Sequence, residues 1–186
     1  KAIYYEHMRP NRLISIARLL GKKEEFRGPV TNPHGSSTSG YLGSLLRWSY
    51  YMLDYTFGFY LKVWPKKSIR SCAWIFDRYY YDYLIDPKRG RINLPTWILK
   101  FGQVIIPEPD IILCLGTDAK SIHKRKPELT LKEVERQVLG LKAFCVSHKK
   151  AVWIDTGKDI ETSSNDTLDA ITTMMAKRFE SLNSTK

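Results

Sequence analysis

Two neighbouring residues stand where chemistry could occur. Residues 71–87 carry a short apolar run, Cys72-Ala73-Trp74-Ile75-Phe76, which stops at an acid-base pair, Asp77-Arg78. Strands buried in parallel sheets are continuous apolar runs, and ligands of open α/β sheets sit at the carboxyl ends of such strands. An Asp and an Arg side by side at a strand end suit a metal ion and a phosphate. Arg grips a phosphate bidentately, and a hard divalent cation takes carboxylate oxygen. The chemistry indicated is phosphoryl transfer, which asks a protein for position and positive charge more than for covalent catalysis. Such a site also needs cations over the transferring group, and Lys124, Arg125, Lys126 and Arg136 are the candidates. A phosphate cradle is the third requirement. No G-x-x-x-x-G-K-[ST] pattern occurs in the 186 residues. The nearest glycine-serine segment, residues 35–40, lacks the lysine and follows no apolar strand.

Each of these residues also has a structural alternative. Asp77-Arg78 fits a surface ion pair. Tyr79-Tyr80-Tyr81 fits packing better than base stacking. Lys124 to Lys126 fits a solvated basic turn, and Asp82 and Asp86 fit neutralisation of Lys88 and Arg89. His7 and His34 fit turn or core histidines, since a phosphate acceptor needs no general base.

The elements that must position the pair follow from periodicity and breakers. Ala2 to Tyr5 is a short strand, and Asn11 to Leu20 a helix stopped by Gly21. Residues 22–40 form a loop of turn residues, of the length that marks function or disorder. Tyr41 to about Val63 is the longest helix, aromatic almost all round, with a bend expected at Gly58 and an end in Pro65-Lys66-Lys67-Ser68. Pro87 to Arg91 is a basic turn, and Thr96 to Val104 or Ile106 a short helix carrying Trp97, Ile98 and Phe101. Ile111 to Leu115 and Ala151 to Ile154 are further buried strands. Asp118 caps a helix from Ala119. Thr130 and Glu133 make a capping box for a helix whose apolar face is Leu131, Val134, Val138, Leu141 and Cys145. Asn165 or Asp166 caps the last helix, with Leu168, Ile171, Met174, Met175 and Phe179 as its core stripe and a frayed tail from Ser181. Strands alternating with helices predict a parallel sheet covered by helices on both faces, as one domain over residues 1–186.

The totals agree with a folded α/β chain: 43% hydrophobic and 26% charged residues. No apolar run approaches the ~18 residues of a membrane span. A net charge of +11, from 30 basic and 19 acidic residues, favours polyanionic partners such as nucleotides, nucleic acid or an acidic membrane surface. Cys72, Cys114 and Cys145 are scattered in apolar contexts, which fits reduced thiols in a cytoplasmic protein rather than a disulfide framework or zinc site. The chain opens at Lys1 directly into an apolar stretch, as a fragment or processed form would.

The succession Trp74-Ile75-Phe76-Asp77-Arg78-Tyr79, Pro109-Asp110-Ile111-Ile112-Leu113, Lys124-Arg125-Lys126-Pro127-Glu128 and Ile154-Asp155 resembles the thymidylate kinase family of P-loop nucleotide kinases, especially the thymidylate-kinase-like proteins of bacteria. The resemblance spans about residues 4–179. It implies a P-loop-kinase-like parallel sheet flanked by helices on both faces. It also implies transfer of the γ-phosphoryl of ATP to a nucleoside monophosphate with Mg2+, and a possible homodimer. By this resemblance Asp77 helps organise magnesium and Arg78 holds the acceptor phosphate. Arg9 and Arg47 face the acceptor, and Tyr79 and Asp82 beside the pair join the substrate-binding set. Arg125 and Arg136, with Lys124 and Lys126, close on the ATP phosphates, and Arg125 joins the catalytic group. The family's P-loop and its central strand would precede Lys1, and a sheet without that strand has a gap. The long aromatic helix and residues 28–35 differ from ordinary thymidylate kinases, so the acceptor stays open. Two rivals stand beside the kinase: a non-catalytic nucleotide- or partner-binding module of the same fold, and a basic nucleic-acid-binding protein.

Overall fold

The computed structural model describes residues 2–7, 10, 40–69 and 72–184. Arg9, His34, the helix expected at 11–20 and most of the loop expected at 22–40 lie outside the described residues. The chain divides into two compact units, Lys1–Glu108 and Pro109–Lys186.

Unit 1 contains strands β1 (Ala2–His7) and β2 (Cys72–Asp77), which pair in parallel with Tyr4 opposite Trp74 and His7 opposite Asp77. The connection between them includes α1 (Tyr41–Gly58), a π-helical turn (Phe59–Val63) and α2 (Trp64–Ile69). Pro65 does not end this element, contrary to the sequence expectation. A proline in a helix lacks an N–H and clashes with the carbonyl four residues back. Here a π-helical turn immediately precedes it, and the helix runs on to Ile69. The π turn begins directly after Gly58, where the bend was expected. Beyond β2 come α3 (Asp82–Ile85), a 3-10 turn (Pro87–Gly90) and α4 (Thr96–Ile105).

The two faces of the β1–β2 pair differ. On one, Tyr4 stacks on Trp74 with ring centroids 4.7 Å apart, and Lys66 of α2 lies 4.4 Å over Tyr4 and 5.5 Å over Trp74. Lys62 pairs with Glu6 on the adjoining strand. Such cation–π contacts contribute about 0.5–1 kcal/mol each at partly exposed sites. The other face holds Ile3, Tyr5, Ala73, Ile75, His7 and Asp77, all exposed. The core of unit 1 is aromatic: Met52, Tyr55, Tyr80, Tyr83, Ile92, Leu99 and Ile106. Tyr80 is fully buried. Its hydroxyl accepts from Trp48 Nε1 (2.8 Å) and donates to the Leu99 carbonyl (2.8 Å), locking α1, α4 and the segment after β2 together. On α4 the buried residues are Ile98, Leu99 and Gly102, while Trp97 and Phe101 are exposed.

Unit 2 contains β3 (Ile112–Gly116) and β4 (Ala151–Asp155), again parallel, joined through α5 (Ala119–Arg125) and α6 (Leu131–Ser147), with α7 (Ile160–Asn183) closing the chain. Asp118 caps α5 by accepting from Ser121 N at 2.9 Å. Thr130 Oγ1 accepts from Glu133 N at 3.4 Å, while the Glu133 carboxylate takes Arg136 and Gln137. The inward face of α6 follows Leu131, Val134, Val138, Leu141 and Cys145 as periodicity indicated. The last helix departs from expectation. Its cap is Asp159, whose carboxylate accepts from Thr162 N (2.8 Å) and Thr162 Oγ1 (2.6 Å), and Asp166 instead pairs with Lys158. Of the expected core stripe, Ile171 and Met174 are half-buried, whereas Leu168, Met175 and Phe179 are 57–67% exposed. The helix continues through Asn183 rather than fraying from Ser181.

The protein is thus mixed α/β with two small parallel sheets flanked by helices, where one sheet was expected. Each parallel pair is the product of one crossover within one unit. No helix among the described residues is long and apolar enough to cross a membrane.

Candidate functional site

In unit 1 the expected pair lies at the carboxyl end of β2, and register brings a third residue to it. His7 and Asp77 are opposite one another at the ends of their strands, and His7 Nδ1 is 3.1 Å from Asp77 Oδ2. Tyr5 lies two residues back on the same exposed face of β1. Partial burial works against ionisation of Asp77. The hydrogen bond from His7, the hydroxyl of Tyr5 and the charges of His7 and Arg78 outweigh it, so the carboxyl stays below its ordinary pKa. The Tyr5 phenol moves the other way, by desolvation first and then by the Asp77 carboxylate.

Arg78 has a φ of 70°, a left-handed conformation that costs a residue with a Cβ roughly 1–2 kcal/mol. This turn takes the chain off β2 and folds the guanidinium back onto Asp82, with Nη1 donating to Oδ2 at 2.9 Å. Burial pushes the Asp82 carboxyl up, partly offset by the charge and hydrogen bond of Arg78. Tyr79 is built into the core: it meets Tyr55 and Phe76 edge-on, and its hydroxyl donates to the Pro107 carbonyl at 2.7 Å. Burial raises the Tyr79 phenol well above its ordinary pKa and takes Tyr80 and Tyr81 to about 12. All three stay neutral at physiological pH. Arg47 is half-buried on α1. Arg78 and Asp82 are therefore brought together, Asp77 is paired with His7, and Tyr79 packs against Tyr55 and Phe76.

In unit 2 a pocket of about 270 Å³ opens at the carboxyl ends of β3 and β4. Its apolar lining is Leu115, Ile154 and Ile160, and its polar lining includes Arg125, Lys158, Thr156 and Ser163. Arg125, in the last turn of α5, donates to the Thr156 carbonyl at 3.4 Å. Ser163, in the first turn of α7, donates back to the carbonyls of Asp155 and Asp159, fixing the helix start against the strand end. The other expected cations are spread around. Lys124 is exposed on α5, Lys126 pairs with Glu128 at 3.1 Å, and Arg136 makes a two-pronged contact with Glu133 at 2.7 and 3.0 Å.

Sequence reading did not single out His7, Tyr5, Lys158 or Ser163 for this chemistry. Alternation along Ile3, Tyr5 and His7 was the available signal for the first two, because period two puts them on one face with Asp77. Among the described residues no three His, Cys, Asp or Glu side chains gather into a metal cluster. Comparison with protein-family models, curated proteins and solved structures gives no match.

Proposed function

We propose that the protein is an ATP-dependent, Mg2+-assisted phosphotransferase of the thymidylate-kinase-like class, with a nucleoside monophosphate as acceptor. The observation that carries the reading is the Asp77-Arg78 pair at the end of β2, with Arg78 held in a left-handed turn. Strained backbone at a strand end is costly, and it concentrates at functional sites. On this reading Arg78 holds the acceptor phosphate and trades Asp82 for it. Magnesium is held largely by water and substrate phosphates, so one carboxylate, Asp77, suffices on the protein side, and the ion neutralises charge on the transferring phosphoryl. Arg125, lining the unit 2 pocket beside Lys158, is assigned to the phosphates of ATP together with Lys124, Lys126 and Arg136. Calorimetry with MgATP and with thymidylate on the purified protein tests this. Saturable binding of both supports the reading, and absence of any nucleotide binding counts against it. Strongly salt-dependent binding of DNA or RNA would favour the nucleic-acid rival instead.

One observation favours a second reading of the acceptor. An Asp–His pair is the arrangement that orients an imidazole as a base, and Asp77 holds His7 by Nδ1, leaving Nε2 for an incoming group. An acceptor hydroxyl, unlike a phosphate, carries a proton to lose. Its oxygen would attack the γ-phosphorus of ATP, the bond to ADP would break, and the proton would pass to His7. His7→Gln separates the two readings. A hydroxyl acceptor loses turnover by roughly 10²-fold or more with this variant, and a phosphate acceptor does not.

A further inference from the structure

One face of the β1–β2 pair leads into the His7–Asp77 contact. Its residues form three register pairs: Ile3 with Ala73, Tyr5 with Ile75, and His7 with Asp77. All six are exposed, Tyr5 by 65% and Ile75 by 50%. Paired strands lie about 4.8 Å apart, so Tyr5 and Ile75 stand side by side, with the His7–Asp77 pair ~6.6 Å further along. Neither Lys nor Arg is among the six, and the one fixed charge is the Asp77 carboxylate. Arg78, the next residue, is turned onto Asp82. A phosphate on this face meets no cation and is repelled by Asp77. An uncharged ring suits the face instead. Stacking on an exposed aromatic side chain strengthens binding of a nucleobase roughly ten- to a hundred-fold, whichever base it is. On the opposite face Tyr4 is already stacked on Trp74, with Lys66 over both rings.

We propose that this face is a nucleoside site: the base lies on Tyr5 beside Ile75, and the primary hydroxyl of the sugar reaches His7. The inference rests on the hydroxyl-acceptor reading above and names its substrate class. The sugar matches the gap, since its hydroxyl stands one ring beyond the base and His7 stands one register pair, ~6.6 Å, beyond Tyr5. With Nδ1 turned to Asp77, His7 takes the hydroxyl proton on Nε2. The freed oxygen bonds to the γ-phosphorus of ATP, and the bond to the departing ADP breaks.

Calorimetry of the purified protein with thymidine and with adenosine, in the absence of ATP, reads binding apart from transfer. Saturable binding of at least one is expected. Tyr5→Ala should weaken it ~10-fold or more, and Tyr5→Phe, which keeps the ring, by less than about threefold. Tyr5 is mostly exposed, so its loss opens no cavity, and circular dichroism should show Tyr5→Ala folded. Should that variant misfold, the wild-type chain carries the test. Tetranitromethane nitrates exposed tyrosine rings, and the bound nucleoside should protect Tyr5 while leaving Tyr41, 55% exposed on α1, open to the reagent. Absence of nucleoside binding, binding that a folded Tyr5→Ala chain retains in full, or a Tyr5 that stays unprotected overturns the proposal. A chain that binds no nucleoside yet transfers phosphoryl from MgATP to nucleoside monophosphates also overturns it, and leaves the phosphotransferase reading standing. Tyr5-dependent nucleoside binding without transfer from MgATP supports the site and overturns the hydroxyl-acceptor reading instead.

Discussion

The backbone of Arg78 offers a test that separates stability from chemistry. Its φ of 70° costs a side chain with a Cβ roughly 1–2 kcal/mol, a cost that glycine escapes. Its gain is the bond to Asp82, between side chains that are 34% and 32% exposed. Partly exposed i,i+4 pairs contribute about 0.3–0.5 kcal/mol. Arg78→Ala loses the pair and keeps the strain. Arg78→Gly loses the pair but sheds the strain, less about 0.5–1 kcal/mol for the extra freedom of glycine in the unfolded chain. Both variants leave Asp82 in the same state, so its desolvation cancels between them. Arg78→Gly should therefore be more stable than Arg78→Ala by roughly 0.5–1 kcal/mol. Guanidinium denaturation followed by tryptophan fluorescence reads this directly, since Trp48 and Trp74 lie in unit 1. If Arg78→Gly proves less stable than Arg78→Ala, the strain argument fails. The functional use of the strained turn then loses its physical basis.

Other consequences follow from the same packing and charge arrangement. A methyl group at Gly102 would run into the Tyr80 hydroxyl and come 2.7 Å from Tyr80 Cζ, and Tyr80 is fully buried and hydrogen-bonded at its tip. Gly102→Ala should cost about 2–3 kcal/mol by overpacking, read as a lowered denaturation midpoint. Asp159→Ala removes the α7 cap and should cost about 1 kcal/mol in the same measurement, while Asp166→Ala should cost less than half of that. The pKa of Asp77 is lowered by folding, so its contribution to stability is complete above the unfolded value near 4 and is lost as pH falls through the lower folded value. Asp77→Asn should flatten that acid limb, by under ~1 kcal/mol given the exposure of the pair, in denaturation midpoints compared at neutral and acid pH.

Much of the architecture was legible because parallel strands and their helices are written in runs and periods. The run from Cys72 to Phe76 is apolar on both sides of the strand, and that continuity marked β2 although Trp74 and Phe76 face the helices while Ala73 and Ile75 face out. Caps were legible where one candidate stood alone, as at Asp118 and Thr130. They were not where Asp159, Asn165 and Asp166 competed, because the choice depends on how soon the chain can turn after β4. Pro65 misled because it sits in the first turn after Trp64, where a helix tolerates proline, with a π-helical turn just before it. At the candidate site, Asp77 and Arg78 could be seen from residue type and position. The His7 contact could not, because Glu6 and His7 are weak strand formers carried along by pairing with Phe76 and Asp77. Nor does an arginine announce a left-handed backbone, which is set by the path from β2 to the buried Tyr80.

The central claim is that Arg78 at the end of β2 serves phosphoryl transfer. Its most direct test is release of ADP from MgATP by the purified protein, with thymidylate and then other nucleoside monophosphates as acceptors, comparing wild type with Arg78→Ala. The account predicts acceptor-dependent turnover that falls by about 10²-fold or more in the variant, a loss of ~3 kcal/mol of transition-state stabilisation. Turnover that is unchanged in Arg78→Ala, or a wild-type protein that transfers no phosphoryl group to any acceptor, would contradict it.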